Sequence, residues 1–135
     1  WECCPKDWRL FKGSCYFFSS DSKDWQSSRD NCISMESDLV VITNKEEQDF
    51  VKNRTNGWYW IGLTDQRKED EWIWVDGTSY NTSVHFWAPG EPNNRNGNEG
   101  CVQINPSKEK NDMLWNDNNC SYEFKRICET KSLSL

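Results

Sequence analysis

The order of apolar and polar positions divides the chain into a helical first part and a strand-rich second part. Tyr16 to Ser19 reads as a strand. Over residues 22–36, Trp25, Ser28 or Arg29, Cys32 and Met35 recur at helical spacing, behind Ser22 or Asp24 as cap. Leu39-Val40-Val41-Ile42 is a short, mostly β-branched run and predicts a strand. Thr43 then opens Thr-Asn-Lys-Glu, a capping box in which Glu46 returns a hydrogen bond to the cap. A second helix is expected from Asn44 to Lys52, with Phe50 and Val51 turned inward.

Beyond Asn53 the period changes. Trp58-Tyr59-Trp60-Ile61-Gly62-Leu63 and Trp72-Ile73-Trp74-Val75 predict aromatic strands, the second closed by the turn pair Asp76-Gly77. Residues 78–100 carry Gly, Pro, Asn and Ser with little periodicity. A loop of that length in a compact domain is usually functional or disordered. Cys101 to Ile104, Leu114-Trp115 and Arg126 to Cys128 predict three late strands. Trp58, Trp60, Trp72, Trp74 and Trp115 are expected to fill a small core, while Trp87 sits beside Ala88-Pro89-Gly90 at the loop. His85 and the run Arg67-Lys68-Glu69-Asp70-Glu71 read as surface. No repeat, heptad or linker divides the chain.

Composition narrows the setting. A chain of 135 residues makes one domain. Seven cysteines and nine tryptophans point to an oxidising compartment, where disulfides support a modest core. With a mean hydropathy of −0.98, no segment is long and apolar enough to span a membrane. The chain opens at Trp1 without a signal peptide, as expected of an excised ectodomain or mature form. A net charge of −6 argues against nucleic acid and anionic membranes, which call for clustered Lys and Arg, and is compatible with cation binding. Asn53-Arg54-Thr55, Asn81-Thr82-Ser83 and Asn119-Cys120-Ser121 are glycosylation candidates, whereas Pro106 blocks Asn105-Pro106-Ser107.

The candidate chemistry lies in Glu91-Pro92-Asn93, Glu99 and Trp115-Asn116-Asp117. Glu91, Asn93, Glu99, Asn116 and Asp117 offer carboxylates and amide carbonyls only. That all-oxygen, net-negative set suits Ca²⁺ and suits Zn²⁺ or Cu²⁺ poorly. An Asn that gives its carbonyl to a metal keeps its NH₂ as a donor, and a carboxylate keeps acceptor capacity. An ion ringed by such groups can take both hydroxyls of a sugar diol. Singly, each residue would be an ordinary solvated loop group; the order of all five together points to a site. An enzyme is disfavoured. Carboxylates around a dication stay ionised and supply no general acid, and one histidine permits no Ser/His/Asp set.

The spacing Cys4, Cys15, Cys32, Cys101, Cys120, Cys128, with Trp60-Ile61-Gly62-Leu63, Glu91-Pro92-Asn93 and Trp115-Asn116-Asp117, resembles a long-form C-type lectin domain over residues 4–129. The opening Cys3-Cys4-Pro5-Lys6-Asp7-Trp8 and the Cys128-Glu129-Thr130 ending are most similar to type II myeloid receptors of the dendritic-cell immunoreceptor and Dectin-2 group. The resemblance implies an α+β fold of two helices and two small antiparallel sheets with a long calcium-binding loop. Residues 1–3 become the end of a neck and 130–135 a tail. Cysteine counting alone leaves fifteen connectivities; the resemblance implies Cys4–Cys15, Cys32–Cys128 and Cys101–Cys120. The second bridge closes a loop of nearly a hundred residues, worth up to roughly 4–5 kcal/mol in the chain-entropy model. Cys3 is left over, for a disulfide-linked homodimer.

Carried over by position, the principal Ca²⁺ site falls on Glu91, Asn93, Glu99, Asn116 and Asp117. These also contact the sugar, with Arg95 as a further contact and a cis bond ahead of Pro92. The Glu-Pro-Asn order implies equatorial 3- and 4-hydroxyls: mannose, glucose, N-acetylglucosamine or fucose-type glycans on glycoproteins or microbes. At the auxiliary Ca²⁺ site Asp65, Glu69 and Asn94 match, but Gly100 stands where Asp is usual, which argues against a second ion. The implied location is the extracellular end of a single-pass type II plasma-membrane protein. The competing reading on this fold is a protein-binding module without sugar; such modules usually lack the intact Glu-Pro-Asn and Trp-Asn-Asp set.

Overall fold

The structure, a computed structural model, describes residues 1–68, 70–80, 85–88, 91–92, 100–105 and 114–134. Helix α1 (Trp25–Ser34) starts at Asp24, whose Oδ1 accepts from the Ser27 amide at 2.7 Å, so Asp24 rather than Ser22 is the cap. Trp25, Ser28 and Cys32 form its buried stripe, as the spacing predicts, but the helix ends at Ser34 and Met35, expected on the same stripe, is its half-buried C-cap.

Helix α2 (Lys45–Lys52) begins one residue later than the Thr-Asn-Lys-Glu pattern predicts. Asn44 is the cap, accepting from the Glu47 amide at 2.9 Å. The returning carboxylate is Glu47, whose Oε1 takes the Thr43 amide at 3.2 Å and the Thr43 hydroxyl at 2.6 Å. A tertiary contact selects this register: the Tyr16 hydroxyl donates to Glu47 Oε2 at 3.2 Å. Glu46 turns outward and pairs with Lys12. Phe50 and Val51 face inward as expected.

The described residues form ten strands, in chain order β1 (Glu2–Cys3), β2 (Arg9–Phe11), β3 (Ser14–Phe18), β4 (Asp38–Leu39), β5 (Tyr59–Thr64), β6 (Ile73–Trp74), β7 (Cys101–Ile104), β8 (Trp115–Asn118), β9 (Lys125–Lys131) and β10 (Leu133–Ser134). Strands β1 and β10 pair alone. The rest run β2-β3-β9-β5-β7-β8, with β4 on β9 and β6 on β5. Among these strands every pairing is antiparallel except β5 with β9, which joins the two antiparallel halves through Tyr59↔Lys125 and Trp60↔Arg126; outside them, Trp87 forms an isolated parallel bridge with Trp115.

The run Leu39 to Ile42 is a strand only in its first residue. Beyond it the backbone bonds both ways, Val40 N–H to Ile127 O at 3.0 Å and Gly62 N–H to Val40 O at 2.8 Å. The Val41 amide donates to the Glu129 side chain at 3.1 Å, which takes the place of a ladder partner. Gly62 is required at this crossing. A Cβ there would meet Val75 Cγ2 at 2.8 Å and the Leu39 and Val40 carbonyls at 2.9 Å.

The main core gathers Val40, Ile42, Val51, Ile61, Leu63, Val102, Ile104 and Ile127 around Trp74 and Trp115. Trp25 and Trp60 pack with Cys32, Cys101 and Cys128 in a second cluster. Trp60, Trp72, Trp74 and Trp115 are buried as expected; Trp58, at 40% exposure, is not. It falls one residue ahead of β5 and stacks on Phe124 at the surface, centroids 6.1 Å apart. The bridges are Cys4–Cys15, Cys32–Cys128 and Cys101–Cys120, and Cys3 is a free thiol. Among the described residues no helix is long and apolar enough to cross a membrane.

Candidate functional site

Strand β8 carries Trp115, Asn116, Asp117 and Asn118, and three neighbours fix its position. Strand β7 pairs along it from Cys101↔Asn118 to Ile104↔Trp115. The bridge Cys101–Cys120 clamps its far end, Cα atoms 5.2 Å apart. Helix α2 holds it from below, where the Trp115 indole N–H donates to Gln48 Oε1 at 3.1 Å, both residues fully buried. Around the same indole, Trp74, Phe86 and Trp87 meet it edge-on at 5.4, 5.5 and 5.8 Å.

The other side of the site comes from the segment ahead of Glu91. Its backbone zips onto Trp115: Trp115 N–H to Phe86 O at 2.7 Å, and Ala88 N–H to Trp115 O at 2.8 Å. The Glu91 amide then donates to Ala88 O at 2.9 Å, closing a turn, and the Glu91–Pro92 peptide is cis. These bonds bring Glu91 beside Asn116. With its carboxamide nitrogen facing Glu91, Asn116 donates to Oε1 at 2.8 Å and to Oε2 at 3.0 Å. Asp117 is fully buried on the neighbouring position. Asn93, Glu99 and Arg95 lie outside the described residues, and among the described residues no three acidic, His or Cys side chains converge.

The donor chemistry fits a calcium ion. Glu91 and Asp117 offer carboxylate oxygens, and the Asn116 amide that now donates to Glu91 offers its carbonyl when rotated by half a turn. The surroundings are acid-rich as well. Burial above all, and then the charges of Asp70 and Asp117, push the Asp65 carboxyl above its ordinary value.

Asp65 is the described member of the candidate auxiliary set. Its amide and the Thr64 hydroxyl donate to Gly100 O at 3.1 and 2.6 Å, and its Oδ2 takes the Asp70 amide at 3.0 Å. A Cβ on Gly100 would stand 3.1 Å from Asp65 Oδ1. A side chain at position 100 therefore projects beside Asp65, and glycine supplies no carboxylate there. Glu69 and Asn94 lie outside the described residues.

Two supports have no motif in the sequence. Trp87 is anchored by its indole N–H to the Tyr80 hydroxyl at 2.9 Å, and the exposed His85 stacks on the same tyrosine at 4.3 Å. Gln48 is the other; its one sequence signal is that it lies three residues before the inward Val51 on α2.

This combination of a two-helix, disulfide-stapled sheet with Glu-Pro-Asn set against Trp-Asn-Asp defines a class. The Lectin C-type domain family profile matches residues 21–130, and the chain belongs to that family. Within it, the chain falls with the dendritic-cell immunoreceptor and Dectin-2 group. It is 42% identical to human C-type lectin domain family 4 member A over its whole length, and spans 57% of that relative. The C-type lectin domain of murine dendritic cell inhibitory receptor 2, solved in complex with an N-glycan, matches with a TM-score of 0.85 at 39% identity, covering 96% of this chain and 99% of that one. The cow carbohydrate-recognition domain of CD23, solved in the presence of a GlcNAc2Man3 oligosaccharide, matches with a TM-score of 0.90 at 35% identity, covering 98% of this chain and 99% of that one.

Proposed function

We propose that this domain binds glycans of the mannose, N-acetylglucosamine and fucose class through one Ca²⁺ ion. The observation that carries the reading is the Glu91–Asn116 contact, which joins the two halves of the sequence motif at 2.8–3.0 Å. Glu91, Asn93, Glu99, Asn116 and Asp117 would hold the ion. When bound, it supplies a Lewis-acidic seat for two vicinal equatorial hydroxyls. The chain's own part is recognition: each Asn amide donates to a sugar hydroxyl, and each carboxylate accepts from one. Arg95 is a further contact to a second sugar. Gly100 leaves the set around Asp65, Glu69 and Asn94 one carboxylate short, so one ion is expected rather than two.

Support for the setting comes from three disulfides and from relatives in the same group. The domain, residues 4–129, then stands at the extracellular end of a single-pass type II plasma-membrane protein, with residues 1–3 ending a neck and 130–135 a tail. Its partners are glycoproteins or microbial glycans. The test is selectivity. Glu91→Gln with Asn93→Asp exchanges donor and acceptor around one hydroxyl, so mannose binding should fall about tenfold or more and galactose binding should rise. Mannose affinity held within about twofold, 0.4 kcal/mol, would show that these side chains do not read the sugar.

A further inference from the structure

We propose that Asn53 carries an N-linked glycan whose core N-acetylglucosamine folds back into a cleft between the end of α2 and the β2–β3 edge. Asn53-Arg54-Thr55 is a complete sequon at the C-cap of α2. The Asn53 backbone N–H is spent on Asp49 O at 3.1 Å. Its side chain is exposed and forms no hydrogen bond among the described residues, so the carboxamide nitrogen can bear a sugar without disturbing the helix end. The two competing sequons differ. Asn119 is half-buried, its Oδ1 takes the Ser121 amide at 2.9 Å and hydroxyl at 2.8 Å, and the intervening Cys120 is bridged to Cys101. Asn81 lies outside the described residues.

A second, independent observation supplies the seat. Asn53 itself lines a cleft of about 390 Å³ with Asp7, Arg9, Phe18 and Arg54, within the range of roughly 300–1,000 Å³ of small-molecule sites. The walls suit an acetamido sugar. Arg54 is held flat, its guanidinium 4.0 Å over the Phe50 ring and its Nη1 donating to Phe50 O at 3.4 Å. Asp7 and Arg9, exposed and in no ion pair among the described residues, offer an acceptor and a donor fork for hydroxyl and acetamido groups. Phe18 adds an apolar surface for the C–H face of the ring. The location has a structural consequence. Arg9 belongs to β2, the outer strand of the sheet path, and a glycan seated there shields an edge otherwise open to pairing with another chain.

The test uses the chain secreted from cells that attach high-mannose glycans. Enzymatic deglycosylation in heavy-oxygen water, followed by peptide mass spectrometry, should convert Asn53 to labelled Asp; Thr55→Ala should abolish the label and Thr55→Ser keep it. An endoglycosidase that cuts between the two core sugars should release this glycan about tenfold more slowly from native than from unfolded protein, because the seat must first open. Arg9→Ala should bring native release up to the unfolded rate at unchanged occupancy. An unmodified Asn53, or equal release rates from the native and unfolded wild type, would overturn the proposal.

Discussion

Glu91 and Asn116 are 25 positions apart in the sequence and in contact in the fold. What joins them is backbone pairing around Trp115, so the two candidate ligand side chains are set by bonds that carry no ligand chemistry. A different acid behaves oppositely to a ligand carboxylate. Glu129 is half-buried beside Glu47 of α2, and this partial burial, then the Glu47 charge, pushes its carboxyl up to about 7, against the Val41 amide that favours the ionised form. A folded pKa above the unfolded value of 4.5 favours the protonated acid in the fold. That contribution is full below pH 4.5 and is lost as pH rises through about 7. In calcium-free buffer, urea unfolding should show stability falling across this window by up to about 3 kcal/mol. Glu129→Gln should flatten the curve; a wild-type curve that is already flat there would mean that Glu129 is ionised throughout.

At the scale of elements, α2 supports the site from beneath. Gln48 accepts the Trp115 indole N–H inside the core, and Trp115 immediately precedes Asn116 and Asp117. Gln48→Met keeps the volume and removes the acceptor, leaving a buried donor unpaired at a cost of about 1–3 kcal/mol. Urea melts should show that loss, and calcium affinity measured by calorimetry should fall with it, because β8 loses its lower anchor. Unchanged calcium affinity in a destabilised variant would separate the core from the site. Both helices were legible in the sequence because apolar period and caps are local signals. The one-residue shift of the α2 cap was not, since Tyr16 selects Glu47 from a distant strand. Trp58 misled for a similar reason: hydrophobicity marks it for the core, but its place one residue outside β5 is a matter of register. Four of the five candidate ligands stand out in the sequence because they sit in two short motifs, Glu91-Pro92-Asn93 and Trp115-Asn116-Asp117, whereas Glu99 sits in neither. The Tyr80–Trp87 and Gln48–Trp115 contacts that brace them join residues with no shared motif.

On the scale of the whole molecule, β1 and β10 bring the two ends of the described chain together, pairing Cys3 with Leu133. Cys3 is partly exposed there and unbridged, and an odd cysteine in an oxidising compartment suits an intermolecular bond. Non-reducing gels of a longer ectodomain should show a dimer that Cys3→Ser removes; a monomer in both would dismiss the bridge. Among the described residues, the chain ends pair on one small sheet, while Asn116 and Asp117 lie on β8 with Glu91 beside Asn116. The central claim is that sugar is held through calcium rather than beside it. Retention on immobilised mannose tests this most directly: the protein should bind in millimolar calcium and elute completely with EDTA, and retention that persists in EDTA would contradict the account.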